Sequence, residues 1–265
     1  MILLLITINI MELKNIILGC TLTFMTYTAQ AQTQIIAHRG YWKTENSAQN
    51  SITGLQKAAE AKVYGSEFDV QLTGDGVIVV NHDDNINGIT IAEVPYNKLN
   101  GIKLKNGEKI PTLKEYLAEG KKLKDIQMIL EIKPHKTKEQ EKEISEKAVK
   151  MVKEAGMEKQ VEYISFSKYI CETLAQLTPE SEIAYLKGDI SPKELKEKGI
   201  NGIDYHYKVF EKKPELVKEA HDLGMKVNVW TVNNTEDIKN MLKLNVDYIT
   251  TDHPVEAAGL ASNKK

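Results

Sequence analysis

Two carboxylates and an imidazole fall close together in residues 65–84, GSEFDVQLTGDGVIVVNHDD. Runs 68–73 and 77–81 are β-rich and flank Asp75-Gly76, a pair favoured in two-residue type I′ turns because both central residues need positive φ. A hairpin closed there sets Gly74 against Val77, Asp69 opposite His82 and Glu67 opposite Asp84. Alternate residues of a strand share a face, so Glu67, Asp69 and His82 converge at the open end. Buried, such a group needs a cation among it; exposed, it is the solvated face of a ribbon. Further on, Glu131-x-Lys133 repeats the spacing. Glu67, Asp69 and Glu131 are oxygen donors with no Cys and no His-x-His beside them, which suits one divalent cation, Mg²⁺ or Ca²⁺, over Zn²⁺. The competing reading pairs Glu131 with Lys133 or Arg39 in a structural ion network. His38 and His82 stand beside carboxylates as a general acid and base would, the alternative being buried histidines satisfied by backbone. Arg39 and Lys133 offer fixed positive charge for an anion, phosphate among the candidates. Trp230 is either a pocket wall or ordinary core. His135, His206, His221 and His253 lack such company and read as surface or packing.

A regular alternation must position these residues. Strand-like runs lie at 34–37, 127–132, 161–166, 183–186, 202–205, 226–232 and 246–250. Helix-like runs follow at 139–155, 168–176, 192–198, 214–223 and 235–242, with earlier helices capped by Asn46 or Ser47 and opened by Pro111-Thr112. With the outgoing arm of the hairpin, this makes eight strand–helix steps, the pattern of a (β/α)8 TIM barrel with a β-hairpin and a short irregular insertion, 84–110, after the second strand. A doubly wound open sheet alternates too, but no Gly-x-Gly-x-x-Gly or Walker loop recruits a nucleotide. In a barrel the chemistry sits where strands end. His38-Arg39, Glu67, Asp69, Glu131, Lys133, Ser165-Phe166, Trp230 and Thr250-Thr251-Asp252 all fall at such ends.

The composition is that of a globular chain able to bury a sizeable core: 265 residues, 42% hydrophobic and 27% charged. A net charge of −2 gives no footprint for nucleic acid or an anionic membrane. Residues 1–31 read as a secretory signal peptide, with Met11 as a candidate start, residues 11–14 as n-region, 15–27 as h-region and cleavage after Ala31. Neither apolar run, 2–10 or 15–27, reaches the ~18 residues of a membrane span. The alternative, a lipoprotein anchored at Cys20, places that cysteine inside the h-region. The expectation is an exported protein, periplasmic or secreted, of domain 32–265. Its one remaining cysteine, Cys171, has no activating partner in sequence and reads as packing.

The ordered set His38-Arg39-Gly40, Glu45-Asn46-Ser47, Glu67-x-Asp69, Asp75-Gly76, His82-Asp83, Ile110-Pro111-Thr112-Leu113, Glu131-x-Lys133, Ser165-Phe166, Trp230-Thr231-Val232-Asn233 and Ile249-Thr250-Thr251-Asp252-x-Pro254 resembles the glycerophosphodiester phosphodiesterase family over essentially the whole mature chain. The resemblance implies His38 and His82 as the catalytic pair, one divalent cation on Glu67, Asp69 and Glu131, and phosphate contacts from Arg39 and Lys133. The implied reaction is hydrolysis of a small-molecule glycerophosphodiester to glycerol 3-phosphate and an alcohol; within the pair we read His38 as base and His82 as acid. Two departures stand out: Thr44 where the family has Pro, and no Arg-Thr-Thr after His82-Asp83. Phospholipases of the C or D type share the barrel and the two-histidine logic, and a non-catalytic binder of glycerophosphodiesters is the reading from another class.

Overall fold

The computed structural model describes residues 32–263; the expected signal peptide, residues 1–31, lies outside them. The strands in chain order are β1 (Gln34–Ala37), β2 (Gly65–Leu72), β3 (Ile78–Val80), β4 (Asn85–Ile86), β5 (Ile89–Thr90), β6 (Gln127–Ile132), β7 (Val161–Ser165), β8 (Ile183–Tyr185), β9 (Gly202–His206), β10 (Lys226–Trp230) and β11 (Tyr248–Thr251). β1, β2 and β6 to β11 pair in parallel, and β1 pairs with both β2 and β11, which closes the sheet into an eight-stranded barrel. The helices are α1 (Ile52–Glu60), α2 (Leu113–Gly120), α3 (Lys138–Ala155), α4 (Lys168–Leu177), α5 (Pro192–Glu197), α6 (Tyr207–Lys212), α7 (Glu215–Asp222), α8 (Thr235–Lys243) and α9 (Pro254–Ser262). The expected (β/α)8 architecture is thus the observed one.

Residue parity divides the core. Phe68, Val70, Leu130 and Ile132 point outward into the layer shared with the helices. Their neighbours Glu67, Asp69, Ile129 and Glu131 point inward, where Ile36, Ile129, Ile164 and Leu186 form a separate small cluster. Local chemistry sets the helix starts: Thr112 with Glu115, and Thr137 with Gln140, each form a capping box. α1 is capped by Ser51, whose hydroxyl accepts from Gly54 N–H, and not by Asn46 or Ser47; Asn46 stands in the left-handed region at φ 58°. α6 and α9 carry no signal used above. The first is a six-residue turn and the second is apolar nearly all round.

The hairpin register differs from the sequence expectation by one residue. Val70 pairs with Val80 and Leu72 with Ile78. Thr73 N–H donates to Val77 O, which leaves Gly74, Asp75 and Gly76 as a three-residue loop. Only Gly76 has positive φ, 78°, the arrangement of a type I turn followed by a left-handed residue. Asp75 selects it: its carboxylate accepts from Thr73 Oγ1 at 2.6 Å and from Tyr96 N–H at 3.0 Å. Asp69 therefore faces Asn81, whose N–H donates to Asp69 O at 3.0 Å, and His82 lies beyond the end of β3. The insertion packs on its own small core of Val79, Ile91, Leu99, Ile102 and Ile110. Its Glu108 carboxylate accepts from Ile52 and Thr53 N–H at the start of α1.

Candidate active site

In parallel register Asp69 lies beside Glu131 on the neighbouring strand, and Glu67 sits two residues back on the same inward face. One oxygen from each of Glu67, Asp69 and Glu131 lies within 4.8 Å of the others, and all three residues are buried. Glu67 Oε1, Asp69 Oδ1 and Glu131 Oε1 receive no directed hydrogen bond. Two of the remaining oxygens are held from outside: Arg39 N–H donates to Glu67 Oε2 at 2.8 Å, and Asn50 Nδ2 to Asp69 Oδ2 at 2.9 Å. Lys133 Nζ is the nearest counter-charge, 2.7 Å from Glu131 Oε1 and 3.4 Å from Asp69 Oδ1, with Arg39 Nε 3.7 Å from Asp69 Oδ2. Burial and the neighbouring carboxylates push Glu67 well above the usual carboxylate range and Glu131 up to about 8. Asp69 stays ionised: burial opposes this, but Lys133, His82, Asn50 and Arg39 outweigh it and lower its pKa. Three buried carboxyls share one ammonium, Lys133, and the edge of one guanidinium, and Glu67 Oε1 has no partner at all, so the cluster is short of positive charge. Their all-oxygen chemistry fits a hard divalent cation.

Arg39 occupies the left-handed region at φ 55°, and Gly40 follows at φ 78°. A Cβ on Gly40 would lie 2.7 Å from the Gly54 carbonyl carbon, so only glycine lets the turn after β1 pass α1. That turn aims the Arg39 N–H at Glu67 and places the guanidinium at the cleft, with Nη1 donating to Gln49 Oε1 at 3.0 Å.

His38 and His82 both line the cleft. His38 Nδ1 lies 2.7 Å from Asp252 Oδ1; the same oxygen accepts from Trp42 Nε1 at 3.0 Å, and Asp252 Oδ2 from Asn233 Nδ2 at 2.8 Å. Burial works against ionisation of Asp252, but its pairing with His38 and the hydrogen bonds from Trp42 and Asn233 hold its carboxyl far below the usual range. An ionised carboxylate only accepts, so Nδ1 of His38 carries the proton and Nε2 keeps a free lone pair. His82 Nδ1 pairs with Asp83 Oδ1 at 2.7 Å, but Asp83 is mostly exposed. Burial, with Lys133 and Arg39, lowers the His82 pKa, while Asp69 and Asp83 oppose that shift. The hairpin's shifted register does not remove His82 from the site, because the chain beyond β3 still brings it to the cleft, where Gln71 Nε2 donates to its carbonyl.

Opposite the charged wall stands an apolar one: Ile164, Phe166, Leu186 and Trp230 line the same open cleft of ≈ 460 Å³. Trp230 meets Phe166 edge-on at 5.4 Å between centroids, and Lys133 Nζ lies 5.7 Å above the Phe166 ring. Trp230 is therefore a pocket wall. All eight residues singled out in sequence for chemistry, including Lys133 through its ion pairs, gather at this end of the barrel. Of the histidines set aside, His206 also stands at this end, edge-on to Trp230 at 5.0 Å and stacked on Tyr207. His135 is structural: Nδ1 donates to Lys133 O and Nε2 accepts from Leu72 N–H. His221 pairs with Asp247, and His253 lies against Lys43. Cys171 is buried packing, its thiol pushed up by burial. Two residues escaped a role in the sequence reading. Asp252 was visible as a strand end but not as the partner of His38. Asp204, a lone acid inside the apolar strand GIDYH, also lines the cleft.

The model of the glycerophosphoryl diester phosphodiesterase family matches residues 38–256. A glycerophosphodiester phosphodiesterase from Caldanaerobacter subterraneus subsp. tengcongensis is 34% identical over 237 residues, covering 84% of this chain and 95% of that protein. The crystal structure of a glycerophosphodiester phosphodiesterase from Parabacteroides distasonis superposes with a TM-score of 0.87 at 48% identity, covering 89% of this chain and 99% of that one. At 23% identity the fold extends to an Oleispira antarctica phosphodiesterase in complex with the product sn-glycerol-3-phosphate, with a TM-score of 0.76 over 88% of this chain and 98% of that one. A phosphoric diester hydrolase by fold, by sequence and by the side chains its strand ends bring together, the chain belongs to the glycerophosphoryl diester phosphodiesterase family.

Proposed function

We propose that the protein hydrolyses glycerophosphodiesters to glycerol 3-phosphate and an alcohol in a cation-dependent, two-histidine reaction. The observation that carries this reading is the set of three buried, converging carboxylates flanked by two cleft histidines and by Arg39 and Lys133. The diester's phosphate sits against Arg39 and Lys133, whose fixed charges stabilise negative charge as it builds on the phosphoryl oxygens. His38 Nε2, free because Nδ1 is committed to Asp252, takes a proton from the attacking water as the water oxygen bonds to phosphorus. The bond from phosphorus to the leaving oxygen breaks, and His82 gives that oxygen its proton. The incoming phosphodiester anion favours the imidazolium form of His82 and offsets the lowering by burial. Glu67, Asp69 and Glu131 would hold a divalent cation, Mg²⁺ or Ca²⁺, which would supply Lewis acidity to the reaction. Phe166, Leu186 and Trp230 pack against the carbon chain of the substrate.

The test is a screen of purified mature protein against several glycerophosphodiesters with Mg²⁺, Ca²⁺ or EDTA. Cation-dependent release of glycerol 3-phosphate is expected, and no turnover of any of them under any condition overturns the reading.

We also propose that the enzyme works outside the cytoplasm, cut after Ala31. Among the described residues no helix is long and apolar enough to cross a membrane. N-terminal sequencing of the protein from the extracytoplasmic fraction should begin at Gln32; an intact N-terminus found only in the cytoplasm contradicts it.

A further inference from the structure

Asp204 lies on β9 inside the barrel, 1% exposed. Its Oδ2 accepts from Asn228 Nδ2 at 3.0 Å, and the amide of Asn228 is locked in that orientation because its own Oδ1 accepts from Val229 N–H and its Nδ2 also reaches Thr250 Oγ1. The backbone carbonyl of Asp204 accepts from Trp230 Nε1 at 2.9 Å, so the residue that holds the apolar wall is itself rigid. Its other carboxyl oxygen, Oδ1, is buried with no hydrogen-bond partner, and the residue lines the cleft among Ile164, Leu186, Trp230 and Thr250. Buried polar atoms are almost always paired, and a bare one at a cleft wall leaves a hydrogen bond for a ligand group or a water to make. The chemistry of that group is constrained. A phosphate finds its fixed positive charge elsewhere at this end of the barrel, at Arg39 and Lys133, and an ionised Asp204 would repel it. Asp204 is not one of the three acids that converge as a cation site. A hydroxyl fits, because it donates to a carboxylate and can donate to or accept from a carboxylic acid.

We propose that Asp204 Oδ1 hydrogen-bonds a hydroxyl of the substrate's glycerol moiety and so selects polyol phosphodiesters over plain alkyl ones. This rests on the cleft being the site of glycerophosphodiester hydrolysis. The site's apolar side can grip a three-carbon chain but cannot tell glycerol from propanol; a buried hydrogen-bonding group left unpaired by the wrong ligand can.

The test is titration calorimetry on the Mg²⁺-loaded protein with sn-glycerol 3-phosphate and with n-propyl phosphate, which lacks both hydroxyls. The wild type should prefer glycerol 3-phosphate by about tenfold to a hundredfold, the worth of one buried hydrogen bond. In Asp204→Ala glycerol 3-phosphate should fall to the affinity of propyl phosphate. A wild type that does not discriminate, or an Asp204→Ala protein that still does, overturns the proposal. A crystal structure of the wild type with glycerol 3-phosphate needs no variant: a hydroxyl on Asp204 Oδ1 supports the proposal, and hydroxyls bound elsewhere refute it. Discrimination in a protein that hydrolyses no glycerophosphodiester would overturn the activity reading alone, whereas hydrolysis without discrimination would overturn only the role of Asp204.

Discussion

Asp252→Asn isolates the orientation of His38 from the rest of the site. The carboxylate accepts from three donors: His38 Nδ1, Trp42 Nε1 and Asn233 Nδ2. An amide has one acceptor end and one donor end, so the Asn233 contact becomes donor against donor if the oxygen keeps the Oδ1 side, and both the His38 and Trp42 contacts do if the nitrogen takes it. Asn233 cannot relieve it by flipping, because its Oδ1 already accepts from Thr251 Oγ1 and Asp252 N–H. If the amide nitrogen turns toward His38, the imidazole must surrender the Nδ1 proton, and Nε2, the nitrogen left for the cleft, becomes a donor that takes no proton. If the amide oxygen stays, the imidazolium formed during catalysis loses a charged acceptor worth ~1.5–3 kcal/mol against ~0.5–1.5 for a neutral one. The first outcome removes the general base, so kcat should fall ~10²–10⁴-fold; the second costs about tenfold; in both KM should stay within a few-fold because Asp252 is not among the residues lining the cleft. Steady-state kinetics on glycerophosphocholine measure this. The decisive arm is the double variant: if Asp252 acts through His38, then Asp252→Asn costs nothing further in a His38→Ala background. A folded Asp252→Asn enzyme with wild-type kcat, or a second large loss in the double variant, refutes the reasoning. Acid stability is the folding control. The lowered Asp252 pKa adds stability that is present above the ordinary carboxyl pKa and lost as pH falls below it, so this part of the acid transition should be absent from Asp252→Asn.

Chelation should abolish activity and Mg²⁺ or Ca²⁺ restore it; a cation at a hundredfold excess over its Kd should also raise the Tm by roughly 5–10 °C, read by calorimetry. Full activity with no metal found by elemental analysis would sink the cation site. Glu131, raised from 4.5 to about 8 without a cation, makes the folded metal-free protein bind more protons than the unfolded chain across that interval. Stability of the chelated protein should therefore decline as pH rises from 4.5 to 8, and cation affinity should climb over the same range; denaturation and metal titrations at several pH values check both. For the division of labour, His82→Ala should cost ~10²–10⁴-fold in kcat on a diester with an alkyl leaving group and far less on a nitrophenyl diester, whose leaving group departs unprotonated. His38→Ala should hurt both alike, and the reverse pattern would exchange the two roles.

The sequence by itself determined the metal-site candidates and the kind of fold that carries them. Glu67 and Asp69 two residues apart, and Glu131 two before Lys133, must share faces of their strands whatever surrounds them, because the strand period is two. The steady return of apolar runs and helical periods implied a parallel barrel, and the rule that barrels act at strand C-termini gathered the rest. What lay beyond reach depended on contacts that exist only once the barrel closes. The hairpin's register turned on Asp75 choosing Thr73 Oγ1 and Tyr96 N–H, the latter from a segment whose path no local pattern gives. The start of α1 moved to Ser51 because Asn46 and Asn50 take left-handed conformations that fold the preceding loop back on itself. Asp252 meets His38 only because β11, the last strand, pairs with β1, the first, joining residues 214 apart in the chain. Asp204 in GIDYH could have been an error of burial, a surface acid or a ligand contact. Only the packed interior, which pairs one of its oxygens with Asn228 and leaves the other bare at the cleft, decided among these, since the cost of a buried polar atom depends on which partners the tertiary structure delivers.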